Sequence, residues 1–106
     1  MKQFNILTVY PDFFESFKHH GLIKKSLNKK LIDINIVNLR DFTDDKHKRV
    51  DLKPYGGGPG MVIQYPPVKK ALESLKPSKI YLLSPQGKHL TQSKLSMLSK
   101  DDTVTL

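Results

Sequence analysis

The chain contains no cysteine. That excludes a disulfide framework and a thiolate zinc site, and it suits a reducing compartment. No apolar run approaches the ~20 residues of a helical membrane span. Residues 1–11 alternate like a strand and lack the continuous apolar core of a secretory signal. A cytoplasmic protein with no membrane partner is therefore expected. Tryptophan is also absent, and apolar residues make up only 38% of the 106 positions. A chain of this length supports a single small domain that buries about 60–68% of its unfolded surface.

Arginine is nearly missing: Arg40 and Arg49 are the only two, although lysine and arginine together number 18 against 10 acidic residues. The net charge of +8 favours a polyanionic partner, most often nucleic acid. A lysine-biased genome produces the same excess, so charge alone does not decide. Arginine is the better residue for bidentate phosphate contacts, and both arginines sit in one unusual polar segment.

Hydrophobic spacing predicts alternating strands and helices. Phe4 to Tyr10 reads as a buried strand and Ile32 to Leu39 as a second, with Ile34, Ile36 and Asn38 on one side. Asp12 is placed to cap a helix from Phe13, and Gly21 to end it as a left-handed residue. A short helix over Leu22 to Lys30 sets Ile23 and Leu27 against its lysines. Met61 to Gln64 is a short extended piece. Pro66-Pro67 opens a helix through Leu75. Lys79 to Leu83 reads as a third strong, buried strand, followed by a turn at Ser84 to Gly87 in which Gly87 permits positive φ. Thr91 begins a helix to Lys100, with Leu95 and Leu98 facing in, and Thr103 to Leu106 starts a last strand. Such alternation predicts a parallel α/β sheet with flanking helices. Ligands of these sheets lie off the carboxyl ends of the strands, where the loops after Leu39 and Leu83 emerge.

Between those strands, Arg40 to Gly60 shows neither strand nor helix period and is too long for an idle connection. It ends in Gly56-Gly57-Gly58-Pro59-Gly60, four of the six glycines of the chain. No Gly-Lys-Ser/Thr follows, and the spacing does not fit a dinucleotide fingerprint. What remains is a loop of small bulk with free backbone N–H groups, suited to a phosphate or a flat base. Asp44, Asp45, His47 and Asp51 match no standard metal-ligand spacing. Basic residues beside a glycine cradle fit nucleic-acid contact better, while a solvated charged loop is the simpler alternative. His19, His20 and His89 read as surface residues, and Tyr55 is a weak stacking candidate.

Four words in order, Pro11-Asp12-x-Phe14, Arg40-Asp41-Phe42-Thr43, Tyr55-Gly56-Gly57-Gly58-Pro59-Gly60-Met61 and Leu83-Ser84-Pro85-Gln86-Gly87, make the chain resemble the bacterial tRNA (guanine-N1)-methyltransferases from Phe4 to Leu106. The resemblance implies a trefoil-knotted α/β fold and S-adenosylmethionine as methyl donor. It also implies a homodimer with shared active sites, and tRNA as substrate, methylated at N1 of the guanine 3′ of the anticodon, position 37. By the same resemblance, Leu82, Leu83, Ser84 and Pro85 form the first wall of the donor pocket. Leu82 stands where relatives often carry tyrosine. His47, Asp51, Gly56, Gly57, Gly58, Pro59 and Gly60 would meet the target guanine and its neighbours. The family's catalytic Asp and Arg lie beyond Leu106, as does the knot. Residues 1–106 are thus expected to form one partial methyltransferase domain, inactive alone and marginally stable, with an unpaired edge at its last strand. The alternatives are a non-catalytic basic tRNA-binding module and a product without function.

Overall fold

The computed structural model describes residues 1–43, 51–52, 62–63, 65–84 and 86–106. Four strands form one parallel sheet: β1 (Lys2–Thr8), β2 (Ile32–Asn38), β5 (Lys79–Ile80) and β6 (Thr103–Thr105), in the order β2-β1-β6-β5. The predicted parallel α/β sheet is therefore present. A separate two-stranded ribbon pairs β3 (Asp51–Leu52) with β4 (Val62–Ile63), antiparallel. The helices are α1 (Pro11–Phe17), α2 (Gly21–Asn28), α3 (Tyr65–Glu73) and α4 (Gln92–Leu98), with a 3-10 turn at Leu39–Phe42.

β1 and β2 pair over their full length, Lys2 opposite Ile32 through Thr8 opposite Asn38. Register brings Leu7 beside Val37, and Val37, Leu39 and Ala71 form a buried cluster flanked by Leu7, Val9, Phe42, Val68 and Leu75. α3 thus packs on this face of the sheet together with the 3-10 turn. Ile34 points to the other face and is also buried. Both faces of β2 are therefore covered, as a parallel sheet requires. α1 and α2 also lie against β2.

A polar ladder crosses the sheet on the Val37 face. Asn35 Nδ2 donates to Asn5 Oδ1 at 3.2 Å. Asn5 Nδ2 donates to Thr105 Oγ1 at 3.3 Å, and Thr105 Oγ1 lies 2.6 Å from Ser78 Oγ. Asn5 is buried and Thr105 is only 1% exposed. In so dry a setting, satisfied groups fix register, whereas an orphaned one costs about 1–3 kcal/mol.

Several sequence expectations shift. The last strand is not an edge: β6 sits between β1 and β5 and pairs with both. Among the described residues the edges of the sheet are β2 and β5. Lys79 to Leu83, expected as a buried strand, pairs only at Lys79–Ile80 and is exposed, Ile80 by 58%. Its cause is topological: β6 is its one partner among the described residues, and the last bond between them runs from Tyr81 N–H to the Thr105 carbonyl. Helix α1 begins two residues early, with Pro11 in its first turn and no side-chain cap. Asp12 therefore lies inside the helix, where its charge favours the amino-terminal dipole. Leu95 is partly exposed and α4 buries no residue. Thr91 does cap α4, accepting from Lys94 N–H.

Gly21 has the expected positive φ, +60°, but it opens α2 rather than closing α1. The left-handed closing residue is instead Lys30, at φ +58°. Lys30 N–H donates to the Leu27 carbonyl and Leu31 N–H to the Ser26 carbonyl, the paired bonds of a Schellman helix end. A side chain in this conformation costs about 1–2 kcal/mol, which glycine avoids.

Two stability outcomes are expected. Lys30→Gly should stabilise by about 0.5–1 kcal/mol, the relief of strain less glycine's extra unfolded entropy, read as a higher urea midpoint at constant m-value. Asn5→Ala and Thr105→Val should each cost about 1–3 kcal/mol. Because the two residues share a bond, the double variant should cost less than the sum by about 0.5 kcal/mol or more. Strict additivity would mean that the ladder does not couple the strands.

Candidate functional site

The carboxyl ends of the parallel strands meet along one rim of the sheet. β1 gives way there to Val9 and Tyr10, and Thr8 Oγ1 accepts from Tyr10 N–H at 3.0 Å. β2 runs into the 3-10 turn, started by Asn38, whose Oδ1 accepts from Arg40 N–H at 3.0 Å. Phe42 then packs against the Val37–Leu39–Ala71 cluster. This anchors the Arg40-Asp41-Phe42-Thr43 word on the core just before the polar segment begins.

β5 ends on the same rim, and Leu82, Leu83 and Ser84 follow it. Leu82 is 88% exposed and Leu83 79%. Among the described residues no hydrogen bond uses the main chain of Leu82 or Leu83. Two apolar side chains thus stand beside free N–H and C=O groups, the combination that accepts the face and edge of a heteroaromatic ring. The turn beyond is braced from within. Gly87 N–H donates to the Ser84 carbonyl at 3.1 Å, and Gln86 N–H to Ser84 Oγ at 3.2 Å. Lys94 Nζ ties the following segment by donating to the His89 carbonyl at 3.1 Å.

Gly87 does not take the expected positive φ. Its constraint is a close approach: a Cβ there would lie 3.2 Å from the Ser84 carbonyl oxygen. The glycine is favoured by main-chain contact across the turn rather than by a left-handed conformation.

Of the other candidates, Asp51 lies on β3, opposite Ile63 of β4, and not in an open loop. The extended piece expected at Met61 to Gln64 contains β4, but its partner β3 was not foreseen, because a two-residue strand is too short to show a period. His47, Gly56, Gly57, Gly58, Pro59, Gly60 and Pro85 lie outside the described residues. The glycine word nevertheless falls in the connection between β3 and β4, whose pairing brings its two flanks together. His19, His20 and His89 are exposed, as expected for surface residues. No group of three or more metal-ligating side chains gathers among the described residues. No described helix is long and apolar enough to cross a membrane.

Comparison with known proteins agrees with this geometry. The sequence model of the tRNA (guanine-1)-methyltransferase TrmD family matches residues 1–106. The tRNA (guanine-N(1)-)-methyltransferase of Caldanaerobacter subterraneus is 43% identical over 106 residues, covering 97% of this chain and 44% of that protein. The protein of the same name from Microcystis aeruginosa is 49% identical over 96 residues, covering 88% of this chain and 42% of its own length. Among solved structures, the tRNA (m1G37) methyltransferase from Aquifex aeolicus superposes with a TM-score of 0.85 at 28% identity, over 98% of this chain and 49% of that one. The chain thus spans somewhat under half the length of the curated relatives it matches. A family match along residues 1–106, joined to a structural likeness at a TM-score of 0.85, makes the chain a member of the tRNA (guanine-1)-methyltransferase family.

Proposed function

We propose that these residues do the work of the amino-terminal portion of a tRNA (guanine-N1)-methyltransferase: they hold the methyl donor, S-adenosylmethionine, and help seat the guanine at position 37 of tRNA. The family match over residues 1–106 carries this reading. The state of Leu82 to Ser84 supports the donor part. Among the described residues the main chain of Leu82 and Leu83 is free, and with their exposed side chains and their position off the end of β5 it fits an adenine and ribose better than a plain connection. Bound there, S-adenosylmethionine supplies an electrophilic methyl group on sulfur.

The rest of the reading follows from the substrate. Guanine N1 bears a proton in the neutral base, and that proton must leave as the methyl arrives. A carboxylate base and a cation near O6 meet this need. Neither role is given to Asp51 or Arg49. His47, Asp51 and Gly56 to Gly60 are instead assigned to contact with the target base and its neighbours. The glycines let main chain approach a flat ring. A homodimer belongs to the same proposal. The exposed Tyr10, Phe13 and Phe17 form an apolar surface of the kind that a second copy covers.

A chimera tests the assignment directly. Residues 1–106 would replace the matching segment of the Caldanaerobacter subterraneus relative. Single-turnover transfer from labelled S-adenosylmethionine would then be measured on a transcript with guanine at position 37 and on one without it. Guanine-dependent transfer is expected. A folded chimera that binds tRNA but neither binds the donor nor transfers methyl would favour the non-catalytic module. Within the active chimera, Gly58→Val should lower single-turnover rate about 100-fold, because a misplacement of ~1 Å near reacting groups has that effect. Unchanged rates in Gly58→Val, His47→Ala and Asp51→Ala would sink the target-site assignment. Gly87→Val should weaken donor binding by about 5-fold, one lost hydrogen bond's worth at ~1 kcal/mol, with tRNA affinity unchanged.

A further inference from the structure

Helix α2 and its ends carry a concentration of unpaired positive charge that the donor site does not use. Between Glu15 and Asp33 the sequence has no acidic residue. Lys24, Lys25, Lys29 and Lys30 are all exposed there. Elsewhere Lys18 faces Glu15 at 3.7 Å, Lys69 faces Glu73 at 3.8 Å and Lys79 faces Asp101 at 3.9 Å. No carboxylate among the described residues lies within ion-pair reach of these four lysines.

Local stability argues against this arrangement. Lys25 and Lys29 stand four apart on one helix face, where like charges repel. Lys30 occupies the left-handed position that closes the helix, at φ +58°, where glycine is the favoured residue. The helix dipole rewards a cation in the last turn, which accounts for one lysine there but not for four. When a sequence breaks several local rules along one short exposed helix and its end, a ligand of that segment is the physical compensation.

We propose that Lys24, Lys25, Lys29 and Lys30 form a phosphate-backbone contact for RNA, separate from the donor pocket and the glycine word. The inference rests on the tRNA-directed reading above. Lysine suits it: a point charge on a flexible stem follows a backbone without reading its bases. The contact positions the RNA and adds salt-dependent affinity, and it carries no sequence preference. Each phosphate neutralised contributes about 0.9 to the slope of log affinity against log salt on duplex RNA or DNA, taking the double-stranded value.

The test uses the 106-residue chain and a tRNA transcript, with affinity read by fluorescence anisotropy across a salt series. Two variants remove equal charge: Lys24, Lys25, Lys29 and Lys30 to Gln, and Lys69, Lys76, Lys94 and Lys100 to Gln. The α2 variant should lose at least about 10-fold in affinity and about 2 to 4 in salt slope, whereas the control should lose much less. Lys30→Gly alone should weaken RNA binding about 2-fold while raising the urea midpoint, a divergence that damage to the fold cannot produce. Equal losses in the two four-lysine variants would overturn the proposal in favour of bulk charge. Unaltered RNA binding by the α2 variant, with lost binding to phosphatidylserine vesicles, would overturn it in favour of a membrane-facing helix. No RNA binding by the parent chain would also overturn it. None of these results bears on methyl transfer by the chimera, which tests the donor and target reading separately.

Discussion

The insertion of β6 between β1 and β5 is the constraint on which the rest of the sheet depends. Residues at opposite ends of the chain make it. Gln3 N–H donates to the Asp102 carbonyl, Leu106 N–H to the Asn5 carbonyl and Leu7 N–H to the Leu106 carbonyl. The side-chain ladder from Asn35 through Asn5 and Thr105 to Ser78 crosses the same strands at right angles. A backbone ladder alone permits slippage where side chains are interchangeable. A buried asparagine flanked by polar partners on both neighbouring strands does not, because a one-residue slip turns its amide to the other face. Closing so long a chain segment is entropically slow. The satisfied ladder compensates by making a single register far better than its neighbours.

That constraint reaches the rim through one hydrogen bond. β5 has no other partner among the described residues, and its pairing with β6 ends at Tyr81 N–H to the Thr105 carbonyl. Leu82 and Leu83 leave the sheet immediately afterwards, with their backbone groups unspent. The same geometry explains two observations at once: why the leucines are exposed, and why their N–H and C=O groups are available. A longer pairing would have buried both. The exposed apolar stretch is thus a consequence of a short strand, and it has value as a ring-binding wall only because the strand stops where it does.

The fold was legible in the sequence where local signals agreed with tertiary placement. The β-branched run Ile32 to Asn38 is a strand because period and burial coincide, and Thr91 caps α4 because its hydroxyl competes only for local N–H groups. Lys79 to Leu83 shows the opposite case. Its apolar run is the sort found in a central parallel strand, yet strand order places it at an edge, and order is not encoded in any single segment. The ribbon of Asp51–Leu52 and Val62–Ile63 is too short to leave a period, and nine residues of intervening sequence from 53 to 61 mask the pairing. Gly87 was legible as a turn residue, but the reason for it was not: close approach of the Ser84 carbonyl depends on how the turn closes, which no local signal carries. The site words were legible as a resemblance. Their placement on one rim is a property of the parallel sheet, whose carboxyl ends all face the same way.

Lys30 separates two kinds of sequence choice. Were helix closure the only demand, glycine would serve better, since the Schellman bonds from Lys30 and Leu31 use main chain alone. The lysine therefore adds nothing to the bonds that define the helix end, and it takes a conformation that opposes it. Gly21, at nearly the same φ, meets no atom within 4 Å of a would-be Cβ, and there the chain does use glycine. Two positions with one backbone requirement thus carry different residues, and the difference lies in charge. On Gly21 nothing is gained from a side chain. At Lys30 a fourth cation completes a surface whose neighbours repel it, so the term that holds it there is external to the fold.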